Sequence, residues 1–84
     1  MKHLILSVHD VKGECYQRPL IAKTKGEALR GFIDAVNDPN FEFFKHPEDY
    51  TLFHIGFFDD GTGLVEPLPT PEPVGKAIEF VNAE

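Results

Sequence analysis

The chain has 84 residues, of which 42% are hydrophobic, and a formal net charge of −6 at pH 7. This length accommodates one small domain, residues 1–84, and the eight phenylalanines argue against an intrinsically disordered chain. No run reaches the roughly 18 apolar residues of a membrane span, and His9 and Asp10 interrupt the N-terminal region too early for a signal peptide. The single cysteine, Cys15, cannot form an internal disulfide, which suits a reducing cytoplasm.

Charge is unevenly distributed along the chain. Residues 1–36 carry six basic and four acidic residues, a balance of +2, whereas residues 37–84 carry two basic and ten acidic residues, a balance of −8. One interpretation is a solvated surface with a chance asymmetry. The other is a modestly basic patch that binds phosphate or an acidic partner, with the acidic half facing elsewhere.

Two strands are predicted at the start of the chain. Residues 3–10, HLILSVHD, alternate aliphatic residues with polar ones, a pattern typical of a half-buried strand. A turn containing Gly13 follows, and residues 16–22, YQRPLIA, return as a second strand. Because Pro19 has no N–H donor, we expect this second strand to lie at a sheet edge or to be broken at the proline.

The next segment predicts a helix over residues 25–37 with marked ends. Thr24 and Glu27 have the spacing of a capping box, and Pro39 stops the helix. An apolar stripe at helical spacing, expected to face the core, is formed by Leu29, Phe32, Ile33 and Val36 with Ala28 and Ala35 beside it. Gly31 inside the helix costs about 1 kcal/mol relative to alanine, and we expect close packing to offset that cost.

An aromatic connector precedes the most strand-like part of the sequence. Residues 40–50, NFEFFKHPEDY, predict an irregular connector with at most a short helical turn, because Pro47 interrupts them. Residues 50–60, YTLFHIGFFDD, place apolar groups on both faces of a strand. Such a strand is central and covered on both sides, or covered on one side with a subunit interface behind it. The second alternative predicts a homodimer.

The last third of the chain is predicted from its turns and prolines. DDGTG favours a hairpin that leads into a short strand over residues 64–68. Residues 67–73, with prolines at alternate positions, predict a semi-rigid linker, and Thr70 is expected to cap a last helix over residues 73–82. The predicted fold is α+β, with elements in the order β-β-α-β-β-α. We expect a mostly antiparallel sheet of about four strands with the main helix on one face.

Residues that carry chemistry give no recognisable catalytic or metal-binding pattern. The four histidines lack the spacing of a metal site, and Cys15 has no histidine–acid set around it in sequence. The glycines at 61 and 63 fit a hairpin rather than a phosphate-binding loop. The sequence therefore predicts a protein that is not an enzyme, with no cofactor and no metal.

Binding is the remaining class of function, and its candidate residues are cations. They cluster at the end of the second predicted strand and in the first turns of the helix: Lys12, Arg18, Lys23, Lys25 and Arg30. Cations beside the positive end of a helix can hold a few phosphates, which predicts weak, salt-sensitive and sequence-independent nucleic-acid binding. Glu14 and Glu27 lie in the same region and oppose it. Aromatic residues 41–44 could stack on unpaired bases if exposed, although core packing is the alternative.

Three segments together resemble a known family. SVHD, KTKGEALRGFIDAVNDP and FKHPEDYTLFHIGFFDDGTG look like the small non-structural protein of gokushovirus-type microviruses, which are single-stranded DNA bacteriophages. The resemblance spans about residues 5 to 63. It implies a counterpart of protein C of the coliphage microviruses, which is thought to direct the replicating viral DNA–protein complex toward packaging. It implies no particular binding residues.

Two functions are therefore expected from the sequence. The first is a factor in DNA replication and DNA packaging, located in the host cytoplasm, that contacts viral DNA or the replication complex. The second is an acidic adaptor that binds a host or viral replication protein, through its acidic half or exposed phenylalanines, without direct DNA contact. A weaker possibility is that the acidic half mimics DNA. Neither function predicts a membrane partner.

Overall fold

The structure, a computed structural model, describes residues 1–81, which form one sheet and two helices. The strands are β1 (Lys2–Asp10), β2 (Cys15–Tyr16), β3 (Leu20–Ala22), β4 (Tyr50–Asp59) and β5 (Val65–Lys76). The helices are α1 (Lys25–Val36) and the short α2 (Glu42–Lys45), with 3₁₀ turns at Pro47–Asp49 and Ala77–Phe80. None of the helices in this part of the chain is long and apolar enough to cross a membrane.

The sheet is antiparallel, and β1 and β4 form its centre. Its strand order is β2-β1-β4-β5, with β3 pairing β1 on the same side as β2. The α+β class with an antiparallel sheet is confirmed. The strand count and order are corrected, because residues 1–81 contain five strands in the order β-β-β-α-α-β-β. Pro19 causes part of this difference, since it splits the predicted strand 16–22 into two edge strands.

Helix α1 forms where its capping residue and apolar stripe predicted it. The Glu27 N–H donates to Thr24 Oγ1 over 3.1 Å, and Ala28, Phe32 and Val36 are buried. The expectation for Gly31 is wrong, because a Cβ at this position would meet no atom within 4 Å. Gly31 is exposed, so close packing does not offset its helical cost.

One layer of the molecule contains the core. Leu6, Val8 and Leu52 on the central strands are buried against the apolar side chains of α1. Burial of each side chain of this size contributes roughly 1.5–3 kcal/mol, so this layer supplies most of the stability. Phe43 and Phe80 pack at its margin, with ring centroids 5.6 and 6.4 Å from that of Phe32.

The predicted proline-rich linker is wrong, because residues 67–73 lie inside the edge strand β5. Pro67 pairs with Gly56, and Glu72 pairs with His54. Between these two pairs, residues 68–71 of β5 face only Ile55 of β4 as an irregularity. Prolines at alternate positions place their hydrogen-free nitrogens on one lateral side of an extended strand. Such a strand can pair on one side only, which suits an edge.

The predicted helix over residues 73–82 is also wrong for the residues that the structure describes; Asn82 lies outside them. Strand pairing continues to Gly75 and Lys76, and a 3₁₀ turn replaces the helix. Gly75 explains the difference, since a Cβ there would lie 2.6 Å from the Phe80 ring. The chain therefore turns after the strand, and the Phe80 ring packs against Gly75. Thr70 lies within β5 and caps no helix.

Within residues 1–81, α1, α2 and the two 3₁₀ turns contact one another in a single layer, which leaves the second face of the sheet without a helix. The buried apolar residues of β1 and β4 lie on the face that packs against α1. The smallest dimension of the molecule is 18 Å, which fits one sheet and one helical layer packed about 10 Å apart. We call the uncovered side the open face. It presents the residues that alternate with the core residues, among them Ile5, His9 and Phe53.

Candidate nucleic-acid interface

Four of the five predicted cations lie at the start of α1 and along the strand segment that leads to it. Arg18, Lys23, Lys25 and Arg30, which we call the helix-start cations, are all exposed. Within residues 1–81, none of them forms an ion pair. Glu27 is the one carboxylate in residues 18–30, which therefore carry a net charge of +3.

The fifth predicted cation lies elsewhere. Lys12 is in the turn after β1, where its N–H donates to Asp10 Oδ1 over 3.0 Å. The segment entering α1 follows Ala22, which pairs with Leu4 near the opposite end of β1. A strand advances about 3.3 Å per residue, so roughly 20 Å of β1 separates Lys12 from the start of α1. Lys12 is therefore distant from Lys23 and Lys25 at the start of α1.

The helix start is not covered by the proline-rich strand. The prolines of β5 lie at one sheet edge, whereas β3, which leads into α1, lies at the other edge beside β1. Arg30 and Glu27 line a shallow depression together with Thr24 and Gly26 at the first turn. This arrangement leaves the cations accessible to a polyanion.

An apolar groove of about 360 Å³ runs between α1 and the β3 edge. Its walls include Leu20, Ala22, Phe41 and Phe43, with Arg18 and Glu27 as its charged residues. Leu20 and Phe41 are 41% and 47% exposed. The groove can accept an apolar side chain or a base, and its size is at the lower end of the range for small-ligand sites.

The open face has an aromatic cluster that the sequence did not reveal. His9, Tyr16 and Phe53 come from three different strands, and their ring centroids lie 4.7, 5.6 and 6.2 Å apart. All three rings are tilted or edge-on to one another, a favourable arrangement for aromatic contacts. The alternation of β1 and β4 was a signal for this face, but the pairing register was needed to bring the rings together.

Titratable groups elsewhere form two local clusters. Hydrogen bonds from the N-terminal ammonium and from His3 lower the pKa of Asp60. Potential ligand atoms of His46, Glu48 and Asp49 lie within 4.8 Å of one another. These three side chains are exposed or half-buried at a 3₁₀ turn, where carboxylates commonly occur without an ion.

The buried histidine is held by the backbone. His54 is 3% exposed, and its Nε2 lies 2.9 Å from the carbonyl oxygen of Gly56, to which it donates. Its Nδ1 has no hydrogen-bond partner within the described chain, and Glu72 Oε1 is 3.9 Å away. The ring also packs edge-on against Phe57, with centroids 4.8 Å apart. This is a core histidine at the irregularity between β4 and β5.

Comparison with known proteins identifies one family. A family model described as "Phage ORF5 protein" matches residues 3–80, nearly the whole chain. No curated protein and no solved structure matches the chain.

Proposed function

The chain belongs to the phage ORF5 protein family, and we propose that it is a non-enzymatic factor that contacts viral single-stranded DNA through the helix-start cations. The contact takes place on the DNA itself or on the complex that replicates it. The protein acts in the host cytoplasm, at the switch from DNA replication to DNA packaging. The resemblance to the non-structural protein of gokushovirus-type microviruses supports this placement, with protein C of the coliphage microviruses as its counterpart.

One observation carries the proposal. In a chain of net charge −6, residues 18–30 carry +3, and none of their four cations has an ion-pair partner within residues 1–81. Unpaired cations release counterions when they neutralise phosphates, which favours binding at low salt. Four such contacts on a single strand correspond to a salt slope of about 3 in log Kd against log salt concentration. The binding is therefore weak and independent of base sequence.

The test compares two variants of equal charge. Lys23→Ala/Lys25→Ala/Arg30→Ala and Lys2→Ala/Lys12→Ala/Lys45→Ala each remove three positive charges, changing the net charge from −6 to −9. We expect the first variant to lower the salt slope for single-stranded DNA to about 1, because one helix-start cation remains. The second variant should retain a slope close to that of the unmodified protein. Absence of binding at low salt, or equal loss in both variants, would contradict the proposal.

A protein-binding adaptor is the second candidate, and the apolar groove favours it. Partly exposed Phe41 and Leu20 at its walls could receive an apolar side chain from a host or viral replication protein. Affinity capture from infected cells after nuclease treatment tests this function. We expect Phe41→Ala to lose the partner and Phe44→Ala to retain it, because Phe44 is similarly exposed, at 46%, but lies outside the groove. Equal retention by both variants would argue against the groove.

A further inference from the structure

We propose that the open face of the sheet is a base-stacking surface, with Tyr16, His9 and Phe53 receiving unpaired bases of a single nucleic-acid strand. This inference rests on the proposed function, because it identifies a surface for the bases of a strand whose phosphates meet the helix-start cations. The two surfaces lie on opposite sides of the sheet, so a strand that reaches both must pass around the edge formed by β3.

The register defines which side chains share the open face. Directly opposed residues of antiparallel strands point to the same side of the sheet. One row across four strands contains Tyr16, His9, Thr51 and Lys76, and the next contains Ser7, Phe53 and Pro73. Further rows contain Ile21, Ile5, Gly56 and Pro67, and then His3, Phe58 and Val65. The face is rich in aromatic and aliphatic groups. Two of its central positions are covered, because Ser7 is 1% exposed and a Cβ at Gly56 would lie 2.7 Å from the Glu66 carbonyl oxygen. The accessible aromatic part is therefore the end that carries Tyr16 and His9.

The aromatic cluster lies in the first two rows and is accessible. Tyr16 is 46% exposed, and His9 and Phe53 are half-buried. The three ring centroids form a triangle, with Tyr16 4.7 Å from His9 and 5.6 Å from Phe53, and His9 6.2 Å from Phe53. Rings held in place by neighbouring rings need little ordering when a planar ligand stacks on them, which lowers the entropic cost of binding.

The charged side chains on and around the open face also fit a polyanionic partner better than a neutral one. The protein contains 14 acidic residues, but none occupies a position in these four rows. Lys76 ends the aromatic row, and it forms no ion pair within residues 1–81. Asp60 borders the far row, where it accepts a hydrogen bond from His3 over 2.9 Å. Two carboxylates thus border the face, since Glu79 accepts from the Lys76 N–H over 2.9 Å at the other end. The rows between them contain none, which limits the repulsion of phosphates.

Stacking chemistry then selects the ligand. Every base presents a π-face, and aromatic side chains on a sheet bind unpaired bases without sequence preference. Bases inside a duplex are already stacked and cannot reach such rings. The occupant inferred is thus a single strand, and viral DNA is its expected source. A second copy of this chain is the competing occupant, since the same rows also contain aliphatic groups.

The principal experiment compares oligothymidine with an abasic strand of equal length, which keeps the phosphates and removes the bases. We expect Tyr16→Ala and Phe53→Ala each to weaken oligothymidine binding about tenfold and to leave abasic binding unchanged. Phe44→Ala, an equally exposed aromatic outside the open face, is the matched control and should leave both unchanged. Lys23→Ala/Lys25→Ala/Arg30→Ala should weaken both strands alike.

A fluorescence measurement tests the inference without removing a ring. The protein has two tyrosines and no tryptophan, and Tyr50 is 8% exposed, so it serves as an internal reference. Oligothymidine should quench tyrosine emission in the unmodified protein. Tyr16→Phe should abolish this quenching while binding stays within about twofold, because phenylalanine still stacks. Oligouridine should bind less tightly if DNA is the ligand.

The outcomes separate the two proposals. Equal, salt-dependent binding of oligothymidine and abasic strands, unchanged in Tyr16→Ala, overturns the base-stacking surface and leaves the helix-start contact standing. Base-dependent binding that resists removal of the helix-start cations supports the surface and contradicts the proposed function. Sedimentation showing that Tyr16→Ala/Phe53→Ala converts a dimer to a monomer, with DNA binding unchanged, assigns the face to a second copy and overturns the inference. A preference for oligouridine overturns the assignment to viral DNA.

Discussion

The two faces of the sheet are formed by the same two central strands but have different surroundings. On one face, Leu6 and Leu52 are fully buried beneath α1. On the other face, their neighbours Ile5 and Phe53 retain partial exposure, with no helix above them within residues 1–81. Both faces are apolar, so hydrophobicity alone does not tell which one holds the fold together. The position of the helix does.

The two faces of the sheet are also expected to differ in role, since residues on one face stabilise the fold and residues on the other bind a ligand. Residues on the α1 side pack against many neighbours, so their replacement should affect folding. The open face includes the aromatic cluster, in which Tyr16 is exposed and His9 and Phe53 are half-buried, so replacing these residues should affect ligand binding more than folding. Substitutions at adjacent positions of one strand can test this division directly.

The largest expected difference lies between Leu6 and Ile5. Leu6→Ala should lower the free energy of unfolding by about 2–5 kcal/mol, because it leaves a cavity beneath α1. Ile5→Ala should lower it by about 1 kcal/mol, because its side chain is only partly buried. Urea denaturation followed by circular dichroism measures both. Equal losses at the two positions would show that the open face is covered in solution.

A smaller effect is expected where Phe80 closes the core face. Gly75→Ala should destabilise the fold by about 1–3 kcal/mol, because its Cβ would lie 2.6 Å from the Phe80 ring. Gly31→Ala is the control and should stabilise by about 1 kcal/mol, since this helical position has open space around it. Thermal unfolding of the two variants gives the comparison. A neutral Gly75→Ala would mean that Phe80 does not rest on the strand.

The smallest effect is expected at the border of the open face, where Asp60 accepts its hydrogen bonds. Its folded-state pKa lies below the ordinary value of 3.8, chiefly because of the N-terminal ammonium and then His3. Its contribution to stability is therefore present above pH 3.8 and is lost as pH falls through the lowered pKa. The N-terminal ammonium has a raised pKa, so the same pair weakens again as pH rises past 8.0.

Asp60→Asn measures this contribution. The difference in urea midpoint between the variant and the unmodified protein should be small at neutral pH, because the pair is exposed. It should shrink further at both extremes of pH. A difference that is independent of pH would show that the hydrogen bonds, rather than the charges, stabilise this corner.

Sequence reasoning predicted the elements whose signals are local. The capping residue Thr24 and the apolar stripe that follows it predicted α1, and DDGTG predicted the hairpin between β4 and β5. It failed at β5, where alternate prolines were interpreted as a linker. Prolines at alternate positions are compatible both with an extended linker and with an edge strand that pairs on one lateral side, so the sequence of this segment did not decide between the two.

The two candidate sites also differ in whether the sequence alone could predict them. The helix-start cations lie within residues 18–30, so the sequence alone predicted them as one group. Tyr16, His9 and Phe53 lie far apart along the chain and meet only through the register of three strands. The register depends on an irregularity near Ile55, which no single-strand pattern shows.

Photochemical cross-linking tests most directly whether the open face meets bases. An iodouracil-substituted single strand, irradiated with the protein and mapped by mass spectrometry, reports which aromatic residues lie against a base. We expect the cross-links at Tyr16 and Phe53 and their loss in a competition with unmodified oligothymidine. Cross-links confined to Phe41 and Phe44 on the helical side, or none under conditions where the strand is bound, would contradict the proposed surface.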